Sequence, residues 1–266
     1  MNLRQQIIQD RIEEIAKKLG VPQDQAFLRL AHNLVTGQSL HAFLEEDLVD
    51  GGQDKQIDTI TFEHLNSNET IIYIIQAKNT QSFSSNDLIG MNNGLHWIFL
   101  KSKDHLRTLK NKRFSDKIDE YRSELHTLGP SNIHVVVAFV TNGLTSSLSD
   151  EFIQEEKSIQ SEYDNGTFAK FDLLIWGADE LVTQLEMIER RNRKIDANIR
   201  IKYDANNPSL IKYHSAGLQG IVCTASAHEI YGGRTCQDRN GPNLRQNSTV
   251  GKRDTYCSRW YTEMGV

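Results

Sequence analysis

The chain has 266 residues and a net charge of −5, with a pI near 6.0. That length buries a substantial core in one large domain, or in one domain plus part of a second. The acidic balance argues weakly against a general polyanion binder and leaves room for a local basic groove that holds nucleic acid. No apolar run reaches the roughly 18–20 residues of a membrane span, and MNLRQQIIQDRIEEIAKK carries acids where a signal peptide needs an apolar core. A cytoplasmic protein without a membrane partner is expected. The three cysteines, Cys223, Cys236 and Cys257, show neither C-x-x-C pairing nor histidines at zinc-ligand spacing, so reduced thiols are expected.

Apolar residues at Leu3, Ile7, Ile8, Ile12, Ile15, Ala16 and Leu19 recur with a helical period, and Gly20 supplies the stop. Asp24 is placed to cap a second helix, with Phe27, Leu28, Leu30, Ala31, Leu34 and Val35 as its apolar set and Gly37 at its end. A shorter helical turn is expected within residues 39–48. From Ile57 to Phe62 the period changes to two, with Asp58, Ile60 and Phe62 on one face and Thr59 and Thr61 on the other. Residues 71–77, IIYIIQA, are apolar on both faces as a central strand would be. Asn66-Ser67-Asn68-Glu69 between them is turn chemistry and predicts an antiparallel hairpin.

Residues 85–127 read as helical, first SNDLIGMNNGLHWIFL and then a length rich in Lys and Arg up to Gly129-Pro130. NIHVVVAFVT (132–141) is a buried strand, followed by a helix over 149–163, a strand over 171–176 and a helix over 180–191. Strands alternating with helices imply crossovers onto one sheet, hence an α/β fold with a mixed sheet. Residues 198–203 are expected to add an edge strand or to begin a second domain. Beyond about residue 214, glycines, lone cysteines and arginines follow neither period. A shifted reading frame or a truncation accounts for that tail as well as ordinary disorder does.

The chemistry converges on DGGQDKQIDTITFEHLNSNETIIYIIQAK, residues 50–78. A turn centred near residues 67 and 68 places Asp58 opposite residues 76–78. In the second strand Ile72, Ile74, Gln76 and Lys78 share a face, so an apolar face becomes polar where the acid arrives. Asp58 offers a carboxylate, Gln76 an amide oxygen and Ala77 a backbone carbonyl, a set of hard oxygen donors suited to Mg2+ or Mn2+. Lys78 is placed to orient or deprotonate water and to offset charge on a phosphate. Asp54 either binds the metal through water or caps the turn. These residues predict a metal-dependent nuclease site, with Asp58, Gln76 and Lys78 catalytic.

The order D, turn, then Q-x-K at a strand end resembles the PD-(D/E)xK restriction-endonuclease-like superfamily, in particular its Mrr-like branch, where Gln can replace the usual Glu. More narrowly, DGGQDKQIDTI followed by IIYIIQAK, with VVVAFVTNG and FDLLIWGADEL beyond it, resembles the abortive infection phage resistance (AIPR) proteins of bacteria over about residues 20–225. The resemblance implies a restriction-endonuclease-like mixed sheet flanked by helices and preceded by N-terminal helices, occupying residues 1–195. A truncated second domain over 196–228 and an irregular tail over 229–266 would follow. It implies Asp58 and Gln76 as metal ligands, a catalytic Lys78, DNA as substrate and a role in anti-phage defence, and it leaves a homodimer open. Such nucleases often carry a glutamate on the preceding helix, where this chain has Leu28 and Arg29; Asp24, Glu13, Glu14, Glu45 and Glu46 are the substitutes on offer.

Simpler readings stand beside these. Asp58 alone is a strand-start carboxylate and Lys78 a solvated strand end, whereas Gln76 after four isoleucines needs partners. Gly51 and Gly52 read as a turn device, and Trp97 and Trp176 as core. His228-Glu229 lacks the second histidine of a zinc-protease helix. Lys101, Lys103, Arg107 and Lys110, with Lys112 and Arg113, offer contacts to a DNA backbone or form a solvated helix face. The alternative function is a non-catalytic DNA-binding or interaction protein that retains the nuclease fold.

Overall fold

The computed structural model describes residues 2–49, 51 and 55–192, together with the backbone of two short strands at Ile211–Ser215 and Leu218–Val222. The chain divides into two compact units, Met1–Arg193 and Lys194–Val266. Asp54, the expected strand at 198–203, the cysteines, His228-Glu229 and the tail over 229–266 lie outside the described residues.

Helix α1 (Leu3–Leu19) begins with a reciprocal cap, in which Asn2 accepts from the Gln5 N–H and the Gln5 side chain accepts from the Asn2 N–H. Gly20 ends it in the left-handed conformation at φ 67°. Helix α2 (Gln23–Thr36) starts at Pro22, whose φ of −57° suits a helix entry, so Asp24 lies inside the first turn and is not the cap. The expected turn over 39–48 forms as two 3-10 turns, Leu40–Ala42 and Glu45–Asp47.

Strands β1 (Thr59–Asn66) and β2 (Glu69–Lys78) form the predicted antiparallel hairpin. Helices α3 (Ser85–Phe99), α4 (Lys103–Leu106) and α5 (Lys112–Leu128) follow. The basic stretch is therefore not one helix face, since Lys101, Arg107 and Lys110 lie in the breaks between helices. Strand β3 (Ile133–Thr141), helix α6 (Asp150–Tyr163), strand β4 (Lys170–Trp176) and helix α7 (Ala178–Asn192) complete the unit. The sheet order is β1-β2-β3-β4, with β2, β3 and β4 parallel. This is an α/β fold with a four-stranded mixed sheet flanked by helices.

The period of two distributes the core. Ile60, Ile72, Ile74, Val135, Val137 and Phe139 pack with Leu88, Met91 and Leu95 of α3 and with side chains of α5 and α6. Tyr73, Ile75, Val136, Ala138 and Val140 pack on the other face against Ile8, Ile12, Phe27, Leu30 and Leu181. Burying each such side chain contributes about 1.5–3 kcal/mol, so β2 and β3, apolar on both faces, anchor the middle layer. In the second unit, β5 (Ile211–Ser215) and β6 (Leu218–Val222) pair antiparallel. Strand β6 lies where the sequence shows no strand period, because five residues held by backbone ladder bonds need no alternation of side chains.

A buried polar network closes the β1 edge. Lys117 Nζ lies 2.8 Å from Asp47 Oδ1, Thr61 Oγ1 donates to Asp47 Oδ2 at 2.9 Å, and His32 Nε2 lies 3.0 Å from Thr61 Oγ1. Because the Thr61 hydroxyl donates to the carboxylate, His32 Nε2 carries the hydrogen and its buried Nδ1 has no hydrogen-bond partner. Burial pushes the His32 pKa down, against the pull of Asp47. Below the unfolded value of about 6.5, the unfolded chain takes up a proton that the folded chain refuses, so stability falls as pH drops toward the folded pKa. The urea midpoint is expected to fall between about pH 7.5 and 5.5, with a shallower fall in His32→Gln. Parallel pH profiles for the two proteins would reject this.

Candidate active site

Asp58 lies one residue before the hairpin register, which starts with Thr59 opposite Ile75. Asp58 N–H donates to Ile75 O at 2.9 Å and Asp58 O accepts from Val49 N–H at 2.9 Å, so its backbone is fixed on both sides. Its Oδ2 accepts from the Ala77 N–H at 2.7 Å. In an extended strand the N–H and C=O of one residue point the same way, so the Ala77 carbonyl also leaves β2 toward Asp58. Alternation puts Gln76 and Lys78 on the sheet face covered by α3, the face that Ile72 and Ile74 share, and the Ala77 N–H holds Asp58 at the same end of the hairpin.

Gln76 is 1% exposed. Its Nε2 donates to Gln56 Oε1 at 2.7 Å, and its buried Oε1 has no hydrogen-bond partner. An acceptor left bare in the interior costs roughly 1–3 kcal/mol unless something positive meets it. Lys78 Nζ lies 2.6 Å from Asp87 Oδ1 of α3, with both side chains about a third exposed (29% and 28%). Sequence reading missed both Gln56 and Asp87. Asp87 carried a signal in the S-x-x-D spacing from Ser84, whose hydroxyl accepts from the Asp87 N–H at 3.4 Å. Gln56 carried none, because its reach depends on backbone shape.

That shape is unusual. Lys55 and Gln56 both have positive φ, 59° and 63°, a conformation that costs an L-residue about 1–2 kcal/mol. Two glycines of α3, one turn apart, let the turn pack against the helix. A Cβ on Gly94 would stand 2.6 Å from the Lys55 carbonyl oxygen and 2.8 Å from Ile57, and one on Gly90 would stand 2.8 Å from Gln56 Cγ. Gly94→Ala is expected to lose about 1–3 kcal/mol through this overlap, outweighing a helix-propensity gain of about 1 kcal/mol. Gly90→Ala meets only a movable side chain; it should fold with near wild-type stability yet displace Gln56 and weaken Mn2+ binding about 10-fold. Urea unfolding and Mn2+ titration of the two variants check this; equal stability losses would reject it.

None of the five acids considered for the upstream position is seen to join Asp58. Glu13 accepts from Gln9, Glu14 pairs with Arg11, and Glu45 pairs with Arg29. Asp24 is exposed in the first turn of α2. Glu46 lines a separate cleft of about 510 Å³ with Glu45, Arg113, Asp116, Lys117 and Glu120. Among the described residues no three His, Cys, Asp or Glu side chains gather at metal-ligand distances. The donor set is instead mixed: the Asp58 carboxylate, the bare Gln76 amide oxygen and the Ala77 carbonyl. All are hard oxygens of the kind that Mg2+ and Mn2+ take. The partnerless oxygen is what makes these residues fit such an ion.

The basic stretch lies beside the loop that leads to the site. Asn111 caps α5 through Phe114 N–H and also donates to Val49 O at 2.8 Å. Lys103 and Arg107 are exposed, with Arg107 paired to Asp104 at 3.1 Å; Lys110 is exposed too. Trp97 packs against the α3-side core and Trp176 against the opposite one. No family model, no curated protein and no solved structure matches the chain; the candidate site rests on its own geometry.

Proposed function

We propose that this protein is a divalent-metal-dependent DNA endonuclease of the PD-(D/E)xK type, acting in bacterial anti-phage defence as an AIPR-like protein. The observation that carries the reading is the buried Gln76 Oε1 without a partner, one residue from Ala77, whose N–H the Asp58 carboxylate holds, and two residues from Lys78. Asp58, Gln76 and the Ala77 carbonyl would hold the ion. Bound there, Mg2+ or Mn2+ supplies a Lewis acid for the phosphate oxygens and an activated water.

The protein's own groups do the rest. In hydrolysis a water oxygen bonds to phosphorus as one phosphorus–sugar oxygen bond breaks, the water gives up a proton and the leaving sugar oxygen takes one up, and negative charge builds on the nonbridging oxygens. The Lys78 ammonium offsets that charge, and Asp87 holds it at the end of β2. Gln56 takes the NH2 side of the Gln76 amide and so keeps the oxygen side turned away from it. The Ala77 N–H holds one oxygen of Asp58 and fixes the carboxylate plane.

A second reading, a non-catalytic DNA-binding or interaction protein that keeps the fold, is favoured by the ion pair that occupies Lys78 and by the lack of a metal-binding acid cluster among the described residues. One assay separates the two. Plasmid DNA is incubated with Mg2+ or Mn2+ and the wild type, Asp58→Ala or Lys78→Ala. Cutting by the wild type alone, abolished by a chelator, is expected. Equal cutting by all three rejects the site, and DNA binding without any cutting favours the second reading.

A further inference from the structure

We infer that Lys55 and Lys101, gathered on the Trp97 ring, form a phosphate-binding subsite for the DNA strand beside the Asp58, Gln76 and Lys78 site, an inference that rests on the nuclease reading. Lys55 Nζ lies 5.0 Å from the Trp97 ring centroid and Lys101 Nζ 6.0 Å from it. Both side chains are half-buried, and neither forms an ion pair among the described residues. A cation over an indole face is held by the ring quadrupole, which leaves ammonium hydrogens to bond outward. Two ammonium groups mounted on one ring attract an anion brought to that end of α3.

The surroundings fit a polyanion. Residues 101–113 carry six cations, Lys101, Lys103, Arg107, Lys110, Lys112 and Arg113, against the single acid Asp104, in a chain whose net charge is −5. This stretch is thus locally positive in an acidic protein. That stretch is fixed in place. Arg122 donates to the Lys101 carbonyl, and Asn111 ties the start of α5 to Val49.

The subsite also lies at a useful distance along α3. Gln56, which holds Gln76, packs at the level of Gly90, and Lys55 reaches the level of Trp97. Seven residues of helix rise about 10 Å, on the order of three nucleotide steps of B-DNA at 3.4 Å per strand. The strand therefore enters along α3, held roughly three nucleotides from the bond to be cut. Because the ring already holds the two cations, Trp97 acts as their mount.

The test measures binding of the full chain to a duplex oligonucleotide, without divalent ion, over about 50–200 mM salt. The proteins are the wild type, Lys55→Gln, Lys101→Gln, the double variant, and a control with Lys17→Gln and Lys18→Gln on exposed positions of α1. Each single variant is expected to flatten the slope of log K against log salt by about 0.9, and the double by about 1.8, with the control unchanged. Equal slopes for wild type and double variant overturn the subsite, as does an equal loss in the control. Lys101→Gln, outside the strained turn, gives the result independently of any local disturbance at Lys55. Plasmid cutting keeps the two ideas apart. A wild type that binds with this lysine-dependent slope but never cuts retains the subsite and loses the nuclease; one that cuts, with an unchanged slope in the double variant, loses only the subsite.

Discussion

Lys78→Met is expected to lower the single-turnover rate of plasmid cutting by about 10²–10⁴-fold, the range for removing a positioned charge or proton-transfer group. The side chain lies at the C-terminal end of β2, on the face it shares with Gln76, and its ammonium is fixed 2.6 Å from Asp87 Oδ1. Lys78→Arg should not restore the rate, since a planar guanidinium on a longer stem neither takes that position nor gives up its proton. Asp87→Ala releases the ammonium without removing it, so its loss should be smaller, about 10-fold. In the Lys78→Met background Asp87→Ala should then change nothing further, because residues acting as one unit are not additive. An additive double variant would show that Asp87 acts by another route.

Lys117→Met is expected to cost about 3–5 kcal/mol in urea unfolding, the largest stability loss anticipated for a single substitution here. Lys117 and Asp47 form an ion pair with side-chain exposures of 10% and 6%. Burial presses the Lys117 pKa down, but hydrogen bonds and charge from Asp47 and Glu120 outweigh it and leave it raised. Removing the lysine strands the Asp47 carboxylate with the Thr61 hydroxyl as its remaining side-chain donor. Asp47→Ala should cost less, because Lys117 keeps Glu120 at 3.0 Å and Glu120 reaches solvent. Replacing both, Asp47→Leu with Lys117→Met, should recover most of the loss, since paired removal leaves no uncompensated charge. A Lys117→Met midpoint within error of wild type would end this account.

The elements of the first unit were legible because their signals are local. The helical period of α1, the glycine stops at Gly20 and Gly37, the alternation through Ile60 and Phe62, and the Asn66–Glu69 turn each lie within a few residues. That Asp58 meets the stretch 76–78, through the Ala77 N–H, followed from the same arithmetic, because the turn sets which ends of a hairpin meet. Asp24 was misjudged as a cap because Pro22 begins the helix by backbone geometry alone. The basic stretch read as one helix because charge carries no period, and breaks at Lys101 and Lys110 show no glycine or proline.

By itself, then, the sequence determined the order of helices and strands, the antiparallel hairpin, and the placement of Gln76 and Lys78 on one face with Asp58 at the same end, all consequences of periods of two and 3.6 residues. Only the tertiary structure decided what completes that face. Asp87 meets Lys78 from α3, Gln56 meets Gln76 through two residues at positive φ, and Gly90 and Gly94 leave the space that allows it. The Asp47 and Lys117 pair spans 70 positions. Contacts of this kind depend on how a helix crosses a sheet and on which side chains are absent from the crossing, and neither is written in a local period.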